Sequence, residues 1–196
     1  MVFDETAFRD EEIAEFDALP APERLFAILD AYEVRLVART AAACDRAGAR
    51  RIAEAATFLG NGWLYPIVAA LAVLARIDHP GRFLVSSLAS FGAAFAIYPF
   101  LKTFLARKRP CAYDASLVRR VAPLDTYSCP SGHAMTAAAY SLPLVFAAPG
   151  AFAPACAMVA IIGWSRVALG HHYLSDVLVG VILGVAVAAP ITLMMF

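Results

Sequence analysis

From residue 58 onward the chain alternates between long apolar runs and short charged stretches. The apolar runs cover 58–75, 83–101, 134–148, 151–169 and 173–196, and a membrane-crossing helix needs roughly 20 such residues. The pattern predicts an all-α integral-membrane helical bundle of about five transmembrane helices, with the run at 134–148 the shortest. Pro149-Gly150 punctuates the third and fourth runs as a tight turn. The prolines at 66, 99, 143 and 190 lie inside these runs, where neighbouring groups can satisfy the freed backbone.

Residues 1–56 have another character, so the chain divides into an N-terminal segment (1–56) and a transmembrane domain (57–196). Residues 1–24 carry eight acids before and around Pro20-x-Pro22, the reverse of the positive start of a secretory signal. Between 25 and 47, Leu25, Ile28, Leu29, Tyr32 and Leu36 recur at helical spacing, with Asp30, Glu33, Arg35 and Arg39 elsewhere. So many charges exclude an easy span and predict an interfacial amphipathic helix with snorkelling arginines. An amphipathic helix packed on the rest of the protein has the same moment.

Composition agrees with a bilayer. Hydrophobic residues make up 61% of the 196 and charged ones 16%, against about 45–50% and about 25% in soluble domains. The net charge of zero conceals a lopsided layout, because most charges lie before residue 56 or between 102 and 125.

Three strings bring in chemistry. The first is Lys102-x6-Arg109-Pro110 at the end of the second run. Its two cations are about two helical turns apart and can face one pocket; the bland alternative is a stop signal or headgroup patch of Lys102, Arg107, Lys108 and Arg109. The second, Pro130-Ser131-Gly132-His133, opens the third run. It would present backbone N–H groups at a helix N-terminus, a ready anion site, with Gly132 permitting close approach and the Ser131 hydroxyl adding a donor. Its bland counterpart is a serine N-cap beside an incidental histidine. The third is Ser165-Arg166-x5-His172-x3-Asp176. An arginine in membrane-embedded sequence is functional by default. His172 and Asp176 stand at i, i+4, which on a helix lets the carboxylate fix the imidazole tautomer and leaves the other nitrogen for substrate. His171 reads as a loop residue, and His79 has no partner. Together the strings supply three cations, two histidines and a carboxylate, a phosphoryl-handling set.

These strings resemble the signature of the type 2 phosphatidic-acid phosphatase superfamily at every signature position over 102–176. The resemblance implies a membrane enzyme that dephosphorylates a lipid phosphate (phosphatidic acid, phosphatidylglycerol phosphate, or prenyl mono- or diphosphate). It implies His172 as the nucleophile forming a phosphohistidine, Asp176 as its orienting carboxylate, and His133 as general acid and then base. Lys102, Arg109, Arg166 and the Ser131-Gly132 amides would hold the phosphoryl oxygens. Three fixed cations can neutralise that group, and no carboxylate cluster suggests a metal, so no metal and no cofactor is expected. The expected partners are a lipid substrate and the bilayer, with no nucleic acid. Two other activities share the strings: phosphotransfer to a lipid or sugar acceptor, and vanadate-dependent oxidation as in haloperoxidases, which are soluble and therefore fit five apolar runs poorly.

The chain departs from the common six-span plan, since the charged residues 1–56 stand where a first span would be. Fourteen of the sixteen Lys and Arg then fall on the side of the site. Setting aside Lys102, Arg109 and Arg166 leaves eleven against Arg76 and Arg82, and the positive-inside rule predicts a cytoplasmic site in the bacterial inner membrane. Family precedent predicts the opposite face. Cys111 and Cys129 flank the same loop, where a disulfide would need an oxidising compartment.

Overall fold

The computed structural model describes residues 20–114, 117, 123 and 125–196; the acidic residues before Pro20 and Arg119 and Arg120 lie outside them. Among the described residues eight α-helices form the bundle: α1 (Ala21–Arg46), α2 (Arg50–Phe58), α3 (Leu64–Leu74), α4 (Pro80–Leu105), the single turn α5 (Pro110–Tyr113), α6 (Gly132–Ala147), α7 (Phe152–Ala168) and α8 (Leu174–Met195). Leu59–Trp63 joins α2 to α3 across a kink at the non-helical Gly62 (φ 129°), and the two together form the kinked segment Arg50–Leu74. Among the described residues, four helices are long and apolar enough to cross a membrane: Arg50–Leu74, Pro80–Tyr113 counted with its terminal turn, Pro149–Ala168 and Leu174–Met195.

The fifth expected span, α6, is only 16 residues long and occupies the centre of the bundle. It is buried on nearly all sides, against α8, α4 and α7. Its alanines and glycine make that possible, because without a hydrophobic driving force between helices small residues gain association by close approach. α8 supplies the matching surface with Gly180 and Gly184. A Cβ at Gly184 would lie 2.2 Å from the Met135 carbonyl oxygen, and one at Gly180 2.6 Å from that of Ser131. Backbone thus rests on backbone where α8 crosses the start of α6, which is where the site forms. Interhelical hydrogen bonds add direction: Tyr140 Oη donates to Tyr65 O (2.9 Å) and Ser87 Oγ to Tyr140 O (3.2 Å).

α1 turns Leu25, Ile28, Tyr32 and Leu36 outward, while Asp30, Val37, Ala41 and Cys44 are buried. The apolar stripe read from the sequence is therefore exposed, and part of the polar face docks on the protein. All four cysteines are free thiols, with Cys129 buried and Cys111 half-buried.

Candidate active site

The three strings converge at one end of the bundle. Lys102, Arg109, His133, Arg166 and His172 line one small cavity of about 70 Å³, together with Gly132, Asn61 and Asp125. That is the scale of a phosphoryl group.

Each string reaches the cavity by a route that differs from simple helical spacing. α4 stops at Leu105 because Ala106 adopts the left-handed conformation (φ 48°), and Arg109 is extended. Lys102 and Arg109 do not stack two turns apart; they meet because both bind the carboxylate of Asp125. Lys102 Nζ donates to its two oxygens at 2.7 and 2.8 Å, and Arg109 Nη2 donates at 2.6 Å. Pro110 starts α5 instead of ending a helix, its fixed φ suiting the first helical position. Asp125 was not among the sequence candidates, and it places a carboxylate where an anionic ligand would meet the same two cations.

Ser131 stands at the N-cap of α6, but its side chain makes no capping bond. Its Oγ is buried and has no hydrogen-bond partner, as does Arg166 Nε. Arg166 is 2% exposed and donates from Nη1 to Thr57 Oγ1 at 3.3 Å. Among the described residues no carboxylate forms an ion pair with it. A buried guanidinium without a direct ion-pair partner is costly to leave so, and the arrangement fits an oxyanion bound between Arg166, Arg109, Lys102 and the α6 N-terminus.

His172 precedes α8, so the helical i, i+4 premise is corrected. The pair meets because Asp176, in the first turn of α8, reaches back to accept the Tyr173 N–H at 2.9 Å. His172 Nδ1 lies 3.7 Å from Asp176 Oδ2, and Nε2 faces Arg109 Nη1 at 3.5 Å. The nitrogen turned to the cations is thus Nε2, with Nδ1 on the carboxylate side. Burial, and then the charges of Arg109, Arg166 and Lys102, hold the His172 imidazole well below its ordinary pKa, leaving the ring uncharged. Burial, with Asp176 adding to it, pushes the Cys129 thiol up to about 12. Arg109 Nη1 also donates to His171 O at 2.5 Å, so His171 contributes its backbone to the site.

Arg107 is a site residue that spacing did not single out. It is 2% exposed and binds Asp176 Oδ1 (2.6 Å), Ser175 Oγ (2.7 Å), Asp30 Oδ1 (2.7 Å) and Glu33 Oε2 (2.9 Å). The Tyr173 ring covers its guanidinium at 4.1 Å. Ser128 Oγ donates to the other Asp176 oxygen, so the Asp176 carboxylate is held from three sides. Glu33 also accepts the Ser175 N–H (2.8 Å) at the start of α8, where an anion complements the helix dipole. Asn61, in the apolar stretch that follows Phe58, places Oδ1 2.6 Å from His133 Nε2.

The chain is 36% identical over 157 residues to decaprenylphosphoryl-5-phosphoribose phosphatase of Mycobacterium tuberculosis (strain CDC 1551 / Oshkosh), covering 79% of this chain and 85% of that protein; the strain ATCC 25618 / H37Rv protein matches equally. It is also similar to the crystal structure of the first transmembrane PAP2 type phosphatidylglycerolphosphate phosphatase from Bacillus subtilis, at TM-score 0.48 and 23% identity over 84% of this chain and 94% of that one. Residues 83–196, more than half of the sequence and all three strings, match the PAP2 superfamily, and the chain belongs to that family.

Proposed function

We propose that this chain, a membrane phosphatase by family, hydrolyses the phosphomonoester or diphosphate of a prenyl-type lipid through a phosphohistidine on His172. The observation that carries the reading is the convergence of three buried cations on His172 Nε2 in a phosphoryl-sized cavity. Phosphoryl transfer asks for positioning and charge neutralisation, and Lys102, Arg109 and Arg166 supply both. Nε2 attacks phosphorus, and the leaving oxygen departs with a proton from His133. The His133 ring then takes a proton from water, whose oxygen attacks phosphorus and frees His172. Support for a lipid substrate comes from Phe91, Phe95 and Tyr98, which line one cavity wall and lead along α4 into the apolar zone. The prenyl class is favoured by the named substrate of the mycobacterial relative. The test is phosphate release by purified protein in detergent from prenyl phosphates, phosphatidic acid and phosphatidylglycerol phosphate. Release is expected to be fastest from a prenyl phosphate, unaffected by a chelator and competitively inhibited by vanadate. Activity abolished by the chelator and restored by magnesium would overturn the mechanism.

We further infer that the site faces the cytoplasm, supported by the eleven-to-two charge asymmetry. Cys129 is buried and cannot report on the side, but Lys108 and Gly81 are exposed beyond opposite ends of the α4 hydrophobic stretch. In intact cells a membrane-impermeant thiol reagent should label Gly81→Cys and spare Lys108→Cys. The reverse pattern would place the site outside.

A further inference from the structure

We propose that Asn61 is the positioning residue of the proton donor His133. This rests on the mechanism proposed above and extends it to the first membrane helix, which lies outside the three strings.

The local backbone is built for this contact. Between α2 and α3 the helix is broken by a kink at Gly62, which carries φ 129°, a conformation that only glycine adopts readily. The kink falls immediately after Asn61 and sets the direction of the chain on either side of it. Here the neighbouring Gly60 lets the helix approach His133 closely, since a Cβ there would lie 3.2 Å from His133 Cδ2 and 3.5 Å from Ile162. Asn61 then presents Oδ1 to His133 Nε2 at 2.6 Å. Both residues line the same cavity as Lys102, Arg109, Arg166 and His172. An amide in apolar membrane sequence is expensive unless it is used, and an acceptor at Oδ1 keeps the proton on Nε2, so that the proton exchanged in the reaction is the one on Nδ1.

In the proposed reaction the P–O bond breaks as the His172 Nε2–P bond forms, and the alkoxide takes a proton from the His133 ring. Asn61 touches neither phosphorus nor the leaving oxygen. It fixes the rotamer and protonation of the donor, so its value scales with how badly the leaving group needs a proton.

The experiment compares Asn61→Leu, which keeps the shape and removes the acceptor, with Asn61→Asp, which keeps an acceptor oxygen. Each is assayed on a prenyl phosphate, with a poor alkoxide leaving group, and on 4-nitrophenyl phosphate, with a good one. Asn61→Leu should lower turnover of the prenyl phosphate by about 30-fold or more and of the aryl phosphate by less than about 3-fold, a part of the 10²–10⁴-fold that a general acid supplies. Asn61→Asp should restore most of the loss on the prenyl phosphate. Combining Asn61→Leu with His133→Ala should be no worse than His133→Ala alone. Equal losses on both substrates, no rescue by Asp, or multiplicative losses in the double variant would each overturn the assignment. If the leucine is not accommodated, Asn61→Ala makes the same comparison. His172→Ala, run in parallel, separates the two levels. Residual turnover there sinks the phosphohistidine mechanism, whereas an inactive His172→Ala with substrate-independent losses at Asn61 sinks this inference alone.

Discussion

His172→Ala is expected to eliminate phosphate release, and with it any acid-labile phosphate on the protein after mixing with labelled substrate. Two neighbouring groups are poorly suited to take over as nucleophile. The thiol of Cys129 is held protonated, and Ser131 Oγ has no base bonded to it. Asp176→Asn should behave differently, leaving a folded protein slowed by about 10²–10⁴-fold, the range seen when an orienting carboxylate is replaced beside a histidine. An amide can still accept the Tyr173 N–H, but it presents no charge to His172 Nδ1 and none to Arg107. The measurement is turnover together with the yield of trapped phosphoenzyme. Wild-type-like turnover in either variant removes that residue from the chemistry, and loss of turnover with undiminished phosphohistidine in Asp176→Asn would assign the carboxylate to the hydrolytic half instead.

Much of this site was legible in the sequence because membrane-embedded charge has few reasons to exist. Lys102, Arg166 and Asp176 sit at the ends of apolar runs, and each turns out buried. The parts that were not legible share a physical cause: they depend on where the backbone leaves the helix. Lys102 and Arg109 were read as two turns of one helix, yet a left-handed Ala106 ends that helix and swings Arg107 inward while Lys108 stays exposed. Three consecutive basic residues offer no pattern that says which one turns in. His172 and Asp176 were read as a helical pair, but His172 lies before the helix, and the contact comes from the first turn folding back. Asp125 is 23 residues from Lys102, a tertiary contact with no periodic signature. The apolar stripe of α1 was visible; the role of its other face was not, because Asp30 and Glu33 looked like ordinary solvated charges. A hint was available in Asn61, a polar residue between two glycines inside an apolar run.

Arg107→Gln should be the most destabilising single change outside the nucleophile, and its effect should grow with pH. The guanidinium neutralises Asp30, Glu33 and Asp176 at once, from a position that is 2% exposed. Removing one partner of a buried ion-pair cluster leaves uncompensated charge and costs about 3–5 kcal/mol. It also uncouples α1 from the start of α8, where Asp176 resides. The sign of the pH dependence follows from Asp30. Burial already raises its pKa above the ordinary carboxylate value, with Arg107 as the chief opposing influence. Without Arg107 the folded-state pKa rises further, so the folded protein binds a proton that the unfolded chain releases. Stability is then retained at low pH and lost as pH rises through that value. Thermal melts in detergent should show Arg107→Gln closest to wild type near pH 5 and furthest from it near pH 8. Arg107→Lys keeps the charge but lacks the fork that reaches Asp30 and Asp176 together, and it should fall between the two in both melting temperature and turnover. Adding Asp30→Asn to Arg107→Gln should recover part of the stability lost at pH 8 by removing one stranded carboxylate, without recovering turnover. A melting temperature for Arg107→Gln that does not depend on pH would mean that the carboxylates around it are not held by its charge.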